Sequence, residues 1–147
     1  IWINRADIFS ADTLGLDELL QQVLRMIESR KDHPEALLYV NYEYLSRPEG
    51  LFDELIFDAQ YEGYDTVFPG FVDYGHYWFR AENDQFKQTD QSMKGREERD
   101  PVFRALYGLG CVTSATQIRK CKMVGGKIGI LPIQDLRHTL RAKEISD

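Results

Sequence analysis

The sequence predicts an α/β fold with a mostly parallel sheet and flanking helices. Two observations carry this. Short apolar runs alternate twice with amphipathic helical stretches, and no internal repeat or low-complexity linker divides the 147 residues. The chain therefore reads as one domain, or part of one, spanning 1–147.

Asp12-Thr13 followed by Leu16, Leu19, Leu20, Val23, Leu24 and Ile27 makes an apolar stripe at helical spacing, so a helix is expected from about Leu14 to Arg30. His33-Pro34 breaks it, and Ala36-Leu37-Leu38-Tyr39-Val40 is a short apolar run typical of a buried strand. After a loop over 41–48, a second helix from about Gly50 to Tyr61 turns Leu51, Leu55 and Ile56 inward, with Gly63 as its C-terminal glycine. The run Thr66 to Val72 predicts another strand, in which Pro69 suggests a bulge or an edge. Tyr74 to Arg80 is expected to return antiparallel to it. Asn83 to Arg99 is polar and poor in aliphatic residues, which predicts an exposed arm or a mobile loop. Leu106 to Thr113 predicts a strand, Ser114 the cap of a helix ending near Lys120, Gly125-Gly126 a turn, and Lys127 to Leu131 the last strand.

Composition bounds the function. With 43% hydrophobic and 29% charged residues the chain is of ordinary globular character, and no apolar stretch is long enough to span a membrane. A net charge of −6 argues against nucleic acid as partner, while Arg119, Lys120, Lys122, Lys127, Arg137, Arg141 and Lys143 leave a locally basic C-terminal part suited to a small anion. Cys111 and Cys121 lack ligand spacing and are expected to be reduced thiols of a cytoplasmic protein. The opening Ile1-Trp2-Ile3-Asn4-Arg5 lacks the pattern of a signal peptide and reads as the end of a strand, so a preceding segment is expected.

Local motifs are sparse. Gly108-Leu109-Gly110 and Gly125-Gly126 match neither GxGxxG nor a P-loop, and His33, His76 and His138 have no metal spacing. No DxD occurs, and Asp17-Glu18 and Asp53-Glu54 read as solvated helix faces. The most pointed feature is Arg96-Glu97-Glu98-Arg99-Asp100-Pro101, where two guanidinium groups could hold a carboxylate or phosphate bidentately, or balance local charge. Arg47 follows a strand, at the carboxyl end where open α/β sheets bind ligands. Phe71, Tyr74, Tyr77 and Trp78 could stack a base or sugar, form an oligomer contact, or simply pack in the core.

Four stretches, in order, resemble the acylneuraminate cytidylyltransferases, or CMP-sugar synthetases. Arg5 to Thr13 is similar to R-P-x-x-L-[AS]-x-D-x, and Asn41 to Arg47 falls where that family has Q-P-T-S-P-x-R. Tyr64-Asp65-Thr66-Val67 resembles its D-S-V/A strand entry. Arg99 to Phe103 with Tyr107-Gly108 is similar to R-x-x-x-P-x-x-[YF]-x-x-N-G. The resemblance covers about 4–135. It implies a nucleotide-diphospho-sugar transferase-like fold, truncated at the N-terminus, and a homodimer with a protruding arm at 74–99. It further implies transfer of CMP from CTP to a nonulosonic sugar acid with Mg²⁺. Arg47, Arg96, Arg99, Tyr107 and Gly108 would be the substrate-binding residues. The departures are specific. The family's nucleotide loop would lie upstream of Ile1, and its acidic metal pair is replaced by Pro132-Ile133-Gln134-Asp135-Leu136-Arg137-His138-Thr139. The Mg²⁺ ligands are thus not found in this chain. By itself it is expected not to catalyse, and the alternative is a non-catalytic relative serving as a binding or dimerisation module.

Overall fold

In the computed structural model, residues 15–82, 84–89 and 93–142 are described. They form a mixed α/β unit: a five-stranded sheet carries two helices on one face and one on the other, and a separate hairpin projects beyond it. The Arg5–Thr13 segment and the expected capping pair Asp12-Thr13 lie outside the described residues.

Helix α1 spans Leu16–Ser29 and is followed by strand β1, Ala36–Tyr39. Helix α2 spans Leu51–Tyr61 and strand β2 Thr66–Asp73, separated by Gly63, whose φ of +65° terminates the helix in the left-handed region open to glycine. A hairpin of β3 (Trp78–Arg80) and β4 (Phe86–Gln88) comes next, then a 3-10 turn at Arg96–Glu98. Strands β5 (Val102–Ala105) and β6 (Cys111–Ser114), helix α3 (Ala115–Arg119) and strand β7 (Ile128–Ile133) complete the order, with a 3-10 turn at Leu136–Thr139.

The sheet is not mostly parallel. Strand β6 lies antiparallel between β1 and β2, β5 is antiparallel to β2, and only β2 and β7 pair in parallel. The expected parallel direction does hold between β1 and β2, which are joined through α2. Because β6 is inserted between them, they are not hydrogen-bonded neighbours. Trp78–Arg80 pairs with Phe86–Gln88 rather than returning along β2. The antiparallel partner of the outer half of β2 is Val102–Ala105, a strand the sequence concealed behind Pro101. The expected strand from Leu106 contracts to Cys111–Ser114 because residues 107–110 leave the ladder.

Along one edge, β2 therefore has two partners. Thr66 and Val67 pair with Thr113 and Val112, whereas Gly70 to Asp73 pair with Ala105 to Val102, so the partner strand carries a four-residue excursion, Tyr107–Gly110. Pro69 sits opposite that break. In a strand, the N–H and C=O of one residue point to the same edge. The Pro69 carbonyl accepts from the Leu106 amide at 2.9 Å, so its missing N–H also faces the excursion and leaves the parallel ladder to β7 intact.

The two faces bury separate clusters. Leu51 and Leu55 of α2 pack on Val67, Val112, Ile133 and the excursion residue Leu109, of which Leu55, Val67 and Leu109 are wholly buried. On the other face, Leu20 and Leu24 of α1 meet Leu37, Ala115 and Ile118, and Leu16 and Leu20 reach Phe68, Cys111 and Met123. Helices α1 and α3 are tied by an ion pair between Glu28 and Arg119, and the Met123 amide donates to Asp17 at 2.7 Å. Ser114 occupies the N-cap of α3, as expected, yet its hydroxyl turns to Asp65 at 3.4 Å instead of the helix amides. Burial on both faces holds the sheet; each fully buried Leu or Val contributes ~1.5–3 kcal/mol.

Gly108 is required by close approach. A Cβ there would stand 2.6 Å from the Tyr44 ring and 2.9 Å from Asn41 Cβ. Gly108→Ala should destabilise the fold by about 1–3 kcal/mol through overpacking, measured as a shift in the urea midpoint at unchanged slope. An unchanged midpoint would contradict the tight packing of the excursion.

Candidate functional site

The proposed site residues separate into two groups. Arg47, Tyr107 and Gly108 meet at the excursion. There Arg47 donates from Nε to the Leu109 carbonyl at 3.0 Å, from one terminal nitrogen to the Tyr44 carbonyl at 3.3 Å, and from the other to the Asn41 carbonyl. The Asn41 amide in turn donates to the Gly108 carbonyl at 2.8 Å. The half-buried Arg47 is thus a clamp between the loop after β1 and the excursion. Tyr107 lays its ring edge-on to Phe68 at 4.7 Å between centroids, and burial raises its hydroxyl pKa.

Arg96 and Arg99 stand at the root of the hairpin. Arg96 lies 5.2 Å from the centre of the Tyr74 ring. Arg99 contacts His76 Nε2 at 2.9 Å, and His76 Nδ1 lies 3.0 Å from the Gln88 amide. Arginine can only donate, so His76 Nε2 accepts from Arg99. Arg99 Nε is buried without a partner among the described residues. Arg99 consequently anchors β4 through His76, while Arg96 borders open space.

That space is a cleft of about 390 Å³ lined by Phe71, Val72, Asp73, Tyr74, Gly75, Arg96 and Leu136. Arg104, opposite Phe71 in the β2–β5 register, lies 5.5 Å from the centre of its ring. Neither the Arg96 nor the Arg104 guanidinium donates a hydrogen bond to a described residue. The nearest carboxylate, Asp73, accepts from the Tyr77 hydroxyl and from the Gly75 amide at 2.7 Å. The Tyr77 hydrogen bond, the Gly75 amide and the two nearby arginines hold the Asp73 carboxyl below its usual range, and Asp73 in turn raises the Tyr77 pKa. Arg96 therefore lines a cleft whose carboxylate is already engaged, and Arg104 rests on Phe71, one of the lining residues. Such an arrangement suits a ligand with an anionic group and an apolar body.

The 3-10 turn after β7 bridges the two groups. Leu136 lines the cleft, and His138 Nδ1 lies 3.1 Å from the Ser46 hydroxyl, next to Arg47. Asp135, His138 and Ser46 do not form a nucleophilic relay. His138 Nε2 is 3.9 Å from Asp135, too far for a hydrogen bond, and Arg137 engages both Asp135 oxygens, which brings the Asp135 pKa down to about 2.

Mg²⁺ does not fit these residues. Among the described residues, no group of three or more His, Cys, Asp and Glu side chains converges. The carboxylate at the expected position, Asp135, is committed to Arg137. No helix among the described residues is long and apolar enough to cross a membrane. Cys111 is wholly buried, which pushes its thiol up to about 11, and Cys121 is half-buried; both are free.

Sequence reasoning missed Arg104 and Asp73. Both follow from the β2–β5 register, which sets Arg104 beside Phe71, and the short strand β5 gave no periodic signal. The chain matches no protein-family model and no curated protein.

Asp73→Asn should lower the Tyr77 pKa toward its ordinary value of 10.0, because the charge and the strong acceptor are lost. The difference in tyrosinate absorbance between the wild type and the variant, titrated through alkaline pH, measures this; coincident titrations would refute the contact. Since the Asp73 pKa is depressed on folding, its stabilising contribution is present above the unfolded value and is lost as pH falls through the folded one. The Asp73→Asn variant should accordingly lose less stability than the wild type on acidification below about pH 4.

Proposed function

We propose that this chain supplies the acid-binding side of a nucleotidyltransferase of the CMP-sugar synthetase type, which transfers CMP from CTP to a nonulosonic sugar acid. The observation that carries the reading is the cleft beside β2, lined by Arg96 on Tyr74 and by Phe71, on which Arg104 rests, with neither guanidinium hydrogen-bonded to a described residue. The sugar acid's carboxylate would meet Arg96 and Arg104, and its carbon skeleton would lie on Phe71, Tyr74 and Leu136. Arg47 and Gly108 would act indirectly, by setting the excursion that aligns the two halves of β2. The order of the four similar stretches supports the same reading. Because the residues after β7 do not fit Mg²⁺, cytidylyl transfer by this chain alone is not expected.

Calorimetric titration with N-acetylneuraminic acid tests the proposal. Binding should be seen without Mg²⁺, weaken about tenfold or more in Arg96→Ala, and weaken again in Arg104→Ala, as expected when a charged hydrogen-bond donor to an anion is removed. The methyl ester, which lacks the carboxylate charge, should bind less well than the acid. Absence of heat at millimolar ligand, or equal affinity for acid and ester, would remove the reading.

A further inference from the structure

We propose that the outer edge of β1 is a self-association surface, covered by the β1 strand of a second copy of this chain running antiparallel about Leu38. Among the described residues, strand β1 ends the sheet and pairs with β6 alone. The Glu35 carbonyl accepts from the Ala115 amide and the Asn41 amide donates to the Gly108 carbonyl, so the odd-numbered residues point their backbone groups inward. By the alternation of a strand, Ala36, Leu38 and Val40 point theirs outward, and none of these groups meets a partner among the described residues.

The edge lacks the devices that keep sheet edges apart. No charge, proline or bulge interrupts Ala36–Val40, and Leu38 and Val40 are 37% and 40% exposed. Ala36 and Leu38 line a cleft of about 760 Å³ beside α2, together with Ile56, Ala59, Tyr64 and Val112. Helix α2 packs mainly over β2, β6 and β7, and among the described residues the β1 flank of this face borders the cleft.

The pattern is also self-complementary. The outward residues 36, 38 and 40 are symmetric about Leu38, so an antiparallel second copy sets Leu38 against Leu38 and Ala36 against Val40. That satisfies the outward groups of both strands with about six hydrogen bonds. Glu35 then faces Asn41, so no like charges meet. The hairpin is less suited to pairing through its edges. Its strands are three residues long and carry Arg80 and Lys87; Arg80 also pairs with Asp84 at 3.3 Å and lies 5.3 Å from the centre of the Phe86 ring.

Light scattering and sedimentation of the full chain over micromolar to millimolar concentration test this. A concentration-dependent dimer is expected, and Leu38→Lys and Leu38→Glu should each weaken it about tenfold or more, as like charges directly opposite do. An equimolar mixture of the two variants should restore the dimer, because Leu38 faces itself. If either variant loses its native circular dichroism, Ala36→Glu and Val40→Lys test the same register: each alone weakens the dimer, and the two together in one chain restore it. A monomer at every concentration would overturn the proposal. So would a dimer indifferent to the edge variants, or one abolished by Trp78→Ala with Phe86→Ala instead.

Discussion

The break in the ladder beside β2, and the Arg47 clamp that stabilises it, is the constraint on which the other features depend. Strand β2 cannot pair with one continuous neighbour, because Pro69 supplies no N–H on that edge. The chain resolves this by leaving the sheet at Tyr107 and rejoining it at Cys111, with Leu109 driven into the core under α2. An excursion exposes backbone carbonyls that the ladder would have satisfied. Arg47 supplies donors for the Leu109 carbonyl and for two carbonyls of its own loop, so one side chain satisfies acceptors on both segments. Lysine could not do this, because its single nitrogen lacks the fixed fork that reaches three acceptors at different angles.

Fixing the excursion also fixes the direction of the outer half of β2. From Gly70 onward that strand pairs with β5 on one edge and, as far as Phe71, with β7 on the other. Side chains alternate from Phe71 to Asp73 at the mouth of the cleft, and Arg104 comes to rest beside Phe71 only because β5 takes the register it does. The segment after β7 closes the arrangement from below, with Leu136 in the cleft wall and His138 on Ser46. The cleft is therefore built on strands, while the hairpin beyond it is attached through Asp73–Tyr77 and His76–Arg99 contacts at its base.

Much of the fold could be read from residue patterns, and the reasons for the failures are local. The helices α1 and α2 and strands β1 and β2 were legible because their apolar spacing is strong and Gly63 or Pro34 punctuates them. The inference of a parallel sheet followed from strand–helix–strand alternation, which correctly orients β1 and β2 but says nothing about a strand inserted from further along the chain. Strand β5 was hidden because four residues after a proline cannot show a period. The site was legible only by residue type. Arg96 and Arg99 stand out as a charged run, yet nothing in that run shows that Arg99 serves the hairpin while Arg96 borders a cleft. Arg47 looks like a ligand-binding arginine from its place after a strand, and its three carbonyl acceptors become visible only with the excursion.

What separates Arg47 from Arg96 and Arg104 is the group that holds each guanidinium. Arg47 is half-buried and its donors are directed at backbone carbonyls that would otherwise be orphaned, so its removal exposes a structural defect before it affects any ligand. Arg96 and Arg104 contact aromatic faces, which orient a guanidinium without consuming its N–H groups. A cation held by a ring keeps its donors for a partner in the plane of the guanidinium, whereas a cation held by carbonyls does not. The proposed anion site therefore rests on the arginines packed on Tyr74 and Phe71, in a chain of net negative charge. The acidic side chain nearest to them is stabilised chiefly by its own hydrogen bonds rather than by the arginines, since Tyr77 and Gly75 contribute more to its low pKa than either guanidinium does. That division of labour leaves the two guanidinium groups only a minor part in holding Asp73.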